Sequence, residues 1–550
     1  MLINSIEFLV FLFVLVIIYK LMPKKFKWTI LLLASYVFFA LNSGKYTIFI
    51  MLSTLSIYIT ALKIDKIGKI VSEKVKTIEN KEEKKKIKNQ AKRKKKIVLT
   101  AGILINIAML VVLKYSGFII EELNNLFKVN IPIFKFLLPL GISYYTLQAI
   151  SYIVDVYRGK IKAEKNLGKV ALFLTYFPQL VEGPIGRFDR LADQLYRPNE
   201  ITYKTITYGS QLMLWGYFKK MVIADRVAMY VNYVFENYTE YTFLIIILAI
   251  IGYTLQIYAE FSGGIDIVRG ASQIFGIELD KNFERPFFAK SIDEFWRRWN
   301  ITLGAWLKEY VFYPVSLSKI SLKITGISNK YFKKSNMSKV SAVALSLFCV
   351  WLGNGIWHGA GWKYIVYGLY YYTIMMLGKI FAPVGEKIIK TLKIKTEVFS
   401  YKLWQILRTT GFVCIGMLIF RANNLKVAFN MFKSIFRVNH LERIFNGEAF
   451  LLGGLKVQDI IILIVSSLIM LYISIKQEKG IKIRDTLAKQ NILFRWIILY
   501  GIIFSIIIFG IYGEGYNVQS FIYGAFWWMK NNYILDISPL TANFWPHIYL

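Results

Sequence analysis

Apolar runs long enough to cross a bilayer recur along this 550-residue chain, and no other feature restricts its fold so severely. A hydrocarbon core of about 30 Å needs about 20 residues of helix. Such runs lie at roughly 5–22, 28–43, 46–63, 98–115, 134–154, 241–258, 341–357, 363–382, 402–420, 457–475 and 493–512. The expected fold is therefore an all-α polytopic membrane protein with about eleven transmembrane helices. Composition agrees, with 56% hydrophobic and 16% aromatic residues. The first run lacks a small-residue cleavage site and a second follows at once, so it is expected to be a retained span.

The net charge of +35 invites a nucleic-acid reading, but its distribution argues against one. It sits in the connections. Between Ile64 and Ile97 there are 14 Lys or Arg against 5 acids, and Lys20, Lys24, Lys25 and Lys27 cluster between the first two spans. Excess Lys and Arg in short loops marks the cytoplasmic side. Two spans separate the clusters, so both reach the cytoplasm if the amino terminus lies outside. The long basic run is then an orientation signal on a solvated helix or disordered arm, or a docking site for acidic lipid or an acidic carrier protein. The two cysteines, Cys349 and Cys414, lie in apolar runs and suit neither a metal site nor a disulfide framework; no metal site is expected.

Between about Phe177 and Trp362 charged and apolar residues alternate at helical spacing, broken by Gly and Pro. Such segments belong at the interface or enter the membrane partway, shielded by neighbouring helices. Ser291-Ile-Asp-Glu294 reads as a capping box, and Pro314 is expected to stop the helix that follows near Val311. Asn300 falls near the middle of that helix.

Of three histidines, His440 and His547 lie in polar or terminal segments. His358 instead ends an apolar run, within Trp351-Leu-Gly-Asn-Gly-Ile-Trp-His358-Gly-Ala-Gly-Trp362, where four glycines in nine residues are expected to break a regular helix. An ionisable group at membrane depth is costly and points to function. The structural alternative is a neutral imidazole satisfying broken-helix carbonyls. No internal repeat is visible, which weakens a transporter reading.

Trp357-His-Gly-Ala360, about sixty residues after Phe295-Trp-Arg-Arg-Trp299, resembles the signature of the membrane-bound O-acyltransferase family, in its bacterial branch of alginate O-acetyltransferase and teichoic-acid D-alanyl transfer subunits. Leu138-Pro-Leu-Gly-Ile-Ser-Tyr-Tyr145, Tyr152-Ile-Val-Asp-Val-Tyr-Arg-Gly159, Phe177-Pro-Gln-Leu-Val-Glu-Gly-Pro184 and Tyr258-Ala-Glu-Phe-Ser-Gly-Gly-Ile-Asp266 are similar to that branch in order and spacing. The chain departs from it twice. Asn300 stands where the branch usually has histidine, and Glu260 where it commonly has aspartate.

The resemblance implies a helical body around a funnel or tunnel, with an acyl thioester as donor substrate, acetyl-CoA or carrier-bound acyl, and no bound cofactor. It also implies an extracytoplasmic polysaccharide or cell-wall glycan as acceptor, in the plasma membrane, with an acidic carrier protein and an extracytoplasmic acyltransferase as candidate partners. An imidazole suits deprotonation of an attacking hydroxyl near neutral pH, so the resemblance makes His358 the general base and Asn300 an orienting or oxyanion-stabilising donor. Trp299 and Trp357, beside them, are candidates for substrate binding. Gln256 and Glu260, one helical turn apart, either line the tunnel or belong to an interhelical network; Arg297 and Arg298 either hold donor phosphates or contact lipid. Acetyl is favoured over D-alanyl transfer, and a lipid or glycan transporter is the competing class. The expected organisation is transmembrane helices at 1–63, a basic cytoplasmic loop at 64–97, an acyltransferase core at 98–520 and a tail at 521–550.

Overall fold

The computed structural model describes residues 1–133, 136, 138–333, 335–439 and 442–512; His440, His547 and the expected tail lie outside them. The amino-terminal group comprises α1 (Ile6–Leu21), α2 (Lys27–Ser43), α3 (Thr47–Lys76), α4 (Lys81–Leu110) and α5 (Ser116–Phe127). The expected loop at 64–97 is a helical hairpin. Lysine is a good helix former, so α3 runs on to Lys76, while Asn80 caps α4 by accepting from the amides of Glu82 and Glu83.

The middle group holds α6 (Ile142–Arg158), α7 (Leu167–Thr175), α8 (Phe177–Leu180), α9 (Phe188–Tyr196), α10 (Tyr203–Tyr217), α11 (Asp225–Glu236), α12 (Phe243–Ile274), α13 (Ile292–Arg298), α14 (Ile301–Leu307), α15 (Tyr313–Ser316) and α16 (Lys319–Phe332). Then follow α17 (Asn336–His358), α18 (Trp362–Thr391), α19 (Phe399–Arg421), α20 (Leu425–Ser434), α21 (Glu442–Phe445), α22 (Val457–Glu478), α23 (Ile483–Ala488) and α24 (Ile492–Phe509).

Among the described residues, eight helical segments are long and apolar enough to cross a bilayer, and one of them, Lys24–Lys76, holds two of the expected runs. Of the remaining runs, α1 is 16 residues long and α6 is 17. Nearly the whole of α6 is buried, including its polar Thr146, Gln148, Ser151 and Asp155. It is an interior helix around which the others close.

The helices approach closest where side chains are smallest. A Cβ at Gly209 of α10 would stand 2.6 Å from the carbonyl oxygen of Gly270 on α12, and one at Gly216 would stand 2.6 Å from that of Gly263. This glycine seam lets two backbones touch, the usual basis of helix association where lipid supplies no hydrophobic drive. Charges are carried inside only in groups. Lys220, in a π-helical turn at Phe218–Ala224, donates to Asp225 at 2.8 Å and Glu260 at 3.0 Å. Near the end of α6, the Arg187 guanidinium grips Glu309 and reaches Asp155 at 3.2 Å. That grip holds the Glu309 carboxyl below the usual carboxylate range.

Candidate active site

Asn300 sits in a break rather than within a helix. Ser291 caps α13 as expected, accepting from the Glu294 amide, but the reciprocal arm shifts by one residue, with the Glu294 carboxylate accepting from Lys290 N. The helix then stops at Arg298. Trp299 is extended and forms an isolated antiparallel bridge with Phe283, and Asn300 turns left-handed at φ +43° before α14 begins. The single helix expected up to Val311 is thus two short helices. Nor does Pro314 end the segment: a π turn at Lys308–Phe312 passes into α15, where proline takes an early position that needs no amide.

A residue that opens a helix commonly spends its side chain on the first free amides. Asn300 does not. Asn282, from the segment after α12, does this instead: its carbonyl accepts from Ile301 N at 3.0 Å and its Oδ1 from Thr302 N at 3.2 Å. The Asn300 side chain is thereby released, buried, and its Oδ1 has no hydrogen-bond partner among the described residues. A left-handed non-glycine residue with an unsatisfied buried polar atom is what a site under functional constraint looks like.

His358 is the last residue of α17, with Gly359 extended beyond it. The break therefore falls at 359–361; Gly353 and Gly355 stay helical, and Gly355 lets α17 touch α18, since a Cβ there would stand 2.3 Å from the Tyr364 carbonyl oxygen. The imidazole is 6% exposed and packs edge-on against Tyr367 (5.5 Å) and Phe420 (5.1 Å). The neighbouring Trp357 ring lies edge-on to it at 5.0 Å and also packs against Tyr144 at 5.3 Å.

Free carbonyls at a helix end need donors. Two residues of a third π turn, Val111–Tyr115 between α4 and α5, supply them. Lys114 Nζ donates to the Trp357 carbonyl and, at 3.1 Å, to the Ser143 hydroxyl, and the Tyr115 hydroxyl donates to the Ile356 carbonyl at 2.6 Å. Sequence reasoning passed over this pair. Its signal was a lysine inside an apolar run, which carries the same functional presumption as a membrane histidine. Lys114→Met should deprive the Trp357 carbonyl of its donor and cost about 1–3 kcal/mol; thermal unfolding in detergent should show a lower midpoint, and an unchanged one would deny Lys114 this capping role.

Two contacts bring the Asn300 segment against the His358 helix. On one side Trp296 of α13 packs against Trp351 (4.9 Å), Tyr371 (4.8 Å) and Tyr367, the ring that also touches His358. On the other, Leu303, Trp306 and Leu307 of α14 share an apolar cluster with Trp357. Asn300 lies in the bend between them. Beneath it, the loop after α8 is pinned by Ile185 N donating to Thr302 Oγ1 at 3.0 Å.

The other candidates are distributed more widely. Gln256 and Glu260 are both buried on α12; Glu260 belongs to the Lys220 network, while Gln256 Oε1 has no hydrogen-bond partner among the described residues. Trp299 is packed among Tyr258, Phe283, Phe287 and Phe295. Arg298 pairs with Glu294 (2.8 Å) and Glu478 (3.0 Å), whereas Arg297 is exposed. Asn354, one turn before His358 and buried, with no hydrogen-bond partner for its Oδ1 among the described residues, is a further polar group here that sequence reasoning did not single out.

Against this geometry stand the comparisons with known proteins. The profile described as MBOAT, membrane-bound O-acyltransferase family, matches residues 164–406, a stretch that holds both Asn300 and His358. The chain is 29% identical to the peptidoglycan O-acetyltransferase of Helicobacter pylori, over 74% of this chain and 73% of that protein. It is 30% identical to a probable alginate O-acetylase of Azotobacter vinelandii, over 76% and 74% respectively. It is 29% identical to the teichoic acid D-alanyltransferase of Bacillus subtilis, over 51% of this chain and 68% of that one. All three names describe transfer of acyl groups, which disfavours the transporter expectation.

Proposed function

The chain belongs to the membrane-bound O-acyltransferase family, and from that premise we propose that it moves an acyl group, preferably acetyl, from a cytoplasmic thioester towards hydroxyls of an extracytoplasmic polysaccharide or cell-wall glycan. It is a multi-pass membrane O-acyltransferase. The observation that carries the site assignment is the Asn300 turn, whose side chain is freed by Asn282 in the bend that packs against the helix ending in His358. In this reading His358 takes the proton of the attacking hydroxyl, and Asn300 donates from its amide nitrogen to the oxygen that gains charge as the thioester carbonyl becomes tetrahedral. The thiolate then leaves with that carbonyl restored. Acetyl is supported by similarity to O-acetylating relatives over 74% and 76% of this chain, against 51% for the D-alanyl transferase. The donor is coenzyme A-bound or carrier-bound, and a second, extracytoplasmic transferase is a candidate to complete the modification.

Mass spectrometry of cell-envelope glycans with and without the protein tests this reading. Loss of O-acetyl groups from one glycan is expected, and an unchanged acylation profile would overturn it. The reading also sets the plasma membrane as location, with the amino terminus outside and the 64–97 hairpin in the cytoplasm. Support comes from the charge asymmetry, and from Lys24 pairing with Glu200 at 3.3 Å, which joins the other basic cluster to the α9–α10 connection on one face. A single cysteine placed at Lys86 should resist an impermeant maleimide in intact cells and react after lysis; labelling before lysis would reverse the orientation.

A further inference from the structure

Two cavities of opposite character share the residues Tyr258, Arg285, Met470 and Ser474. The first, about 550 Å³, lies between α12, α19 and α22 and has almost entirely apolar walls. Its lining residues Ile251, Leu407 and Leu471 are also 52%, 58% and 47% exposed on the outer face of these apolar helices. It therefore opens sideways, towards hydrocarbon. The second, about 510 Å³, is polar: Lys219, Arg269, Lys281, Arg285, Lys482 and Arg484 face only Asp266, Glu284 and Asp485. Lys219 and Arg269 share Asp266, at 2.7 and 3.5 Å, and Arg285 is held by Glu478 at 2.5 Å. Lys281, Lys482 and Arg484 have no carboxylate within ion-pair distance among the described residues, Arg484 being held instead by the Tyr208 carbonyl and Gln273 Oε1, each at 2.8 Å.

The order along the helices is what joins the cavities. On α12 the lining passes from the apolar cavity (Ile247 to Tyr258) to the polar one (Tyr258 to Arg269), and α22 passes the same way from Ser467 to Gln477. From Ile247 to Tyr258 the helix rises about 16 Å, close to half of a hydrocarbon core of about 30 Å. The apolar cavity is thus one leaflet deep and ends at cations. The polar cavity also shares its face with the basic loop between α1 and α2. Lys27 Nζ donates to Asn199 O at 2.7 Å, and Asn199 abuts Gly276, at the start of the segment that supplies Lys281 to Arg285.

We infer that the two cavities form one site for an anionic phospholipid of the leaflet on the basic face, its acyl chain in the apolar cavity and its phosphate beside Arg285, Lys281, Lys482 and Arg484. The excess of positive charge in a recessed pocket selects a net negative headgroup over a zwitterionic one. The site depends on the membrane-spanning fold alone and contains neither His358 nor Asn300, although Asn282 and Phe283 in its wall adjoin the Asn300 segment.

Native mass spectrometry of the full chain, exchanged from phosphatidylglycerol or phosphatidylcholine into detergent, tests the proposal. One phosphatidylglycerol should remain bound where phosphatidylcholine is lost. A Cβ at Gly411, which lines the apolar cavity, meets nothing within 4 Å, so Gly411→Trp branches into open space and should obstruct the groove and abolish retention. Lys281→Glu with Lys482→Glu should weaken retention at least about tenfold, with an unchanged unfolding midpoint. Equal retention of the two lipids, or undiminished retention in both variants, would overturn the proposal. So would displacement of the lipid by a long-chain acyl-coenzyme A that the enzyme turns over, which would make the groove a donor channel. Glycan acylation in the same variants is read separately, and its presence or absence bears only on the transferase reading.

Discussion

Replacing His358 should lower acyl transfer by about 10²–10⁴-fold, the usual contribution of a general base, while leaving the helical body folded. The substitution must be chosen with the packing in view. The imidazole is wedged against the rings of Trp357, Tyr367 and Phe420, so alanine also opens a cavity, which has its own cost. His358→Gln keeps most of the volume and a hydrogen-bonding group but cannot accept a proton near neutral pH. His358→Gln and His358→Ala should therefore both be inactive to a similar degree, with the alanine variant the less stable of the two. Turnover in membranes, normalised to folded protein, decides the matter: near wild-type transfer by His358→Gln would remove the imidazole from the chemistry and leave it as a packing group.

Asn300→Gly should lose about 10²–10³-fold, the range measured when one oxyanion donor is removed. Glycine is the right replacement because φ +43° costs it nothing. Alanine at the same place would add roughly 1–2 kcal/mol of left-handed strain and mix a folding defect with a chemical one. Histidine offers the complementary test. It is among the residues enriched at positive φ, it carries a ring nitrogen that can donate, and it is the residue the resemblance leads one to expect here. Asn300→His should keep substantial activity, whereas Asn300→Gly should not. Equal transfer by the glycine variant and the wild type would mean that the freed amide plays no part in the reaction; loss of function in both would assign Asn300 a role that histidine cannot fill.

The membrane body was legible from the chain alone. Nine of the eleven apolar runs lie within helical segments long and apolar enough to span, because length and hydropathy are local properties that the bilayer reads directly. His358 was legible for the same reason, as an ionisable residue against a glycine break at the end of such a run. A helix start followed where capping is local, as at Ser291. What the tertiary structure alone decided is how the polar atoms inside the body are satisfied. Periodicity and a capping signature promised one helix across Asn300, but Asn282, 18 residues earlier, supplies the capping acceptor and lets the chain break there. Lys114 reads as one charge in an apolar run until the π turn after α4 meets the end of α17 across 243 residues, when its ammonium meets the Trp357 carbonyl. The paired arginines separate in the same way, Arg298 to Glu478 across 180 residues and Arg297 to the exterior. Hydropathy sorts residues into membrane and water one segment at a time, whereas a buried hydrogen bond needs two partners in register, and no local pattern records which distant carbonyl or carboxylate the fold will deliver.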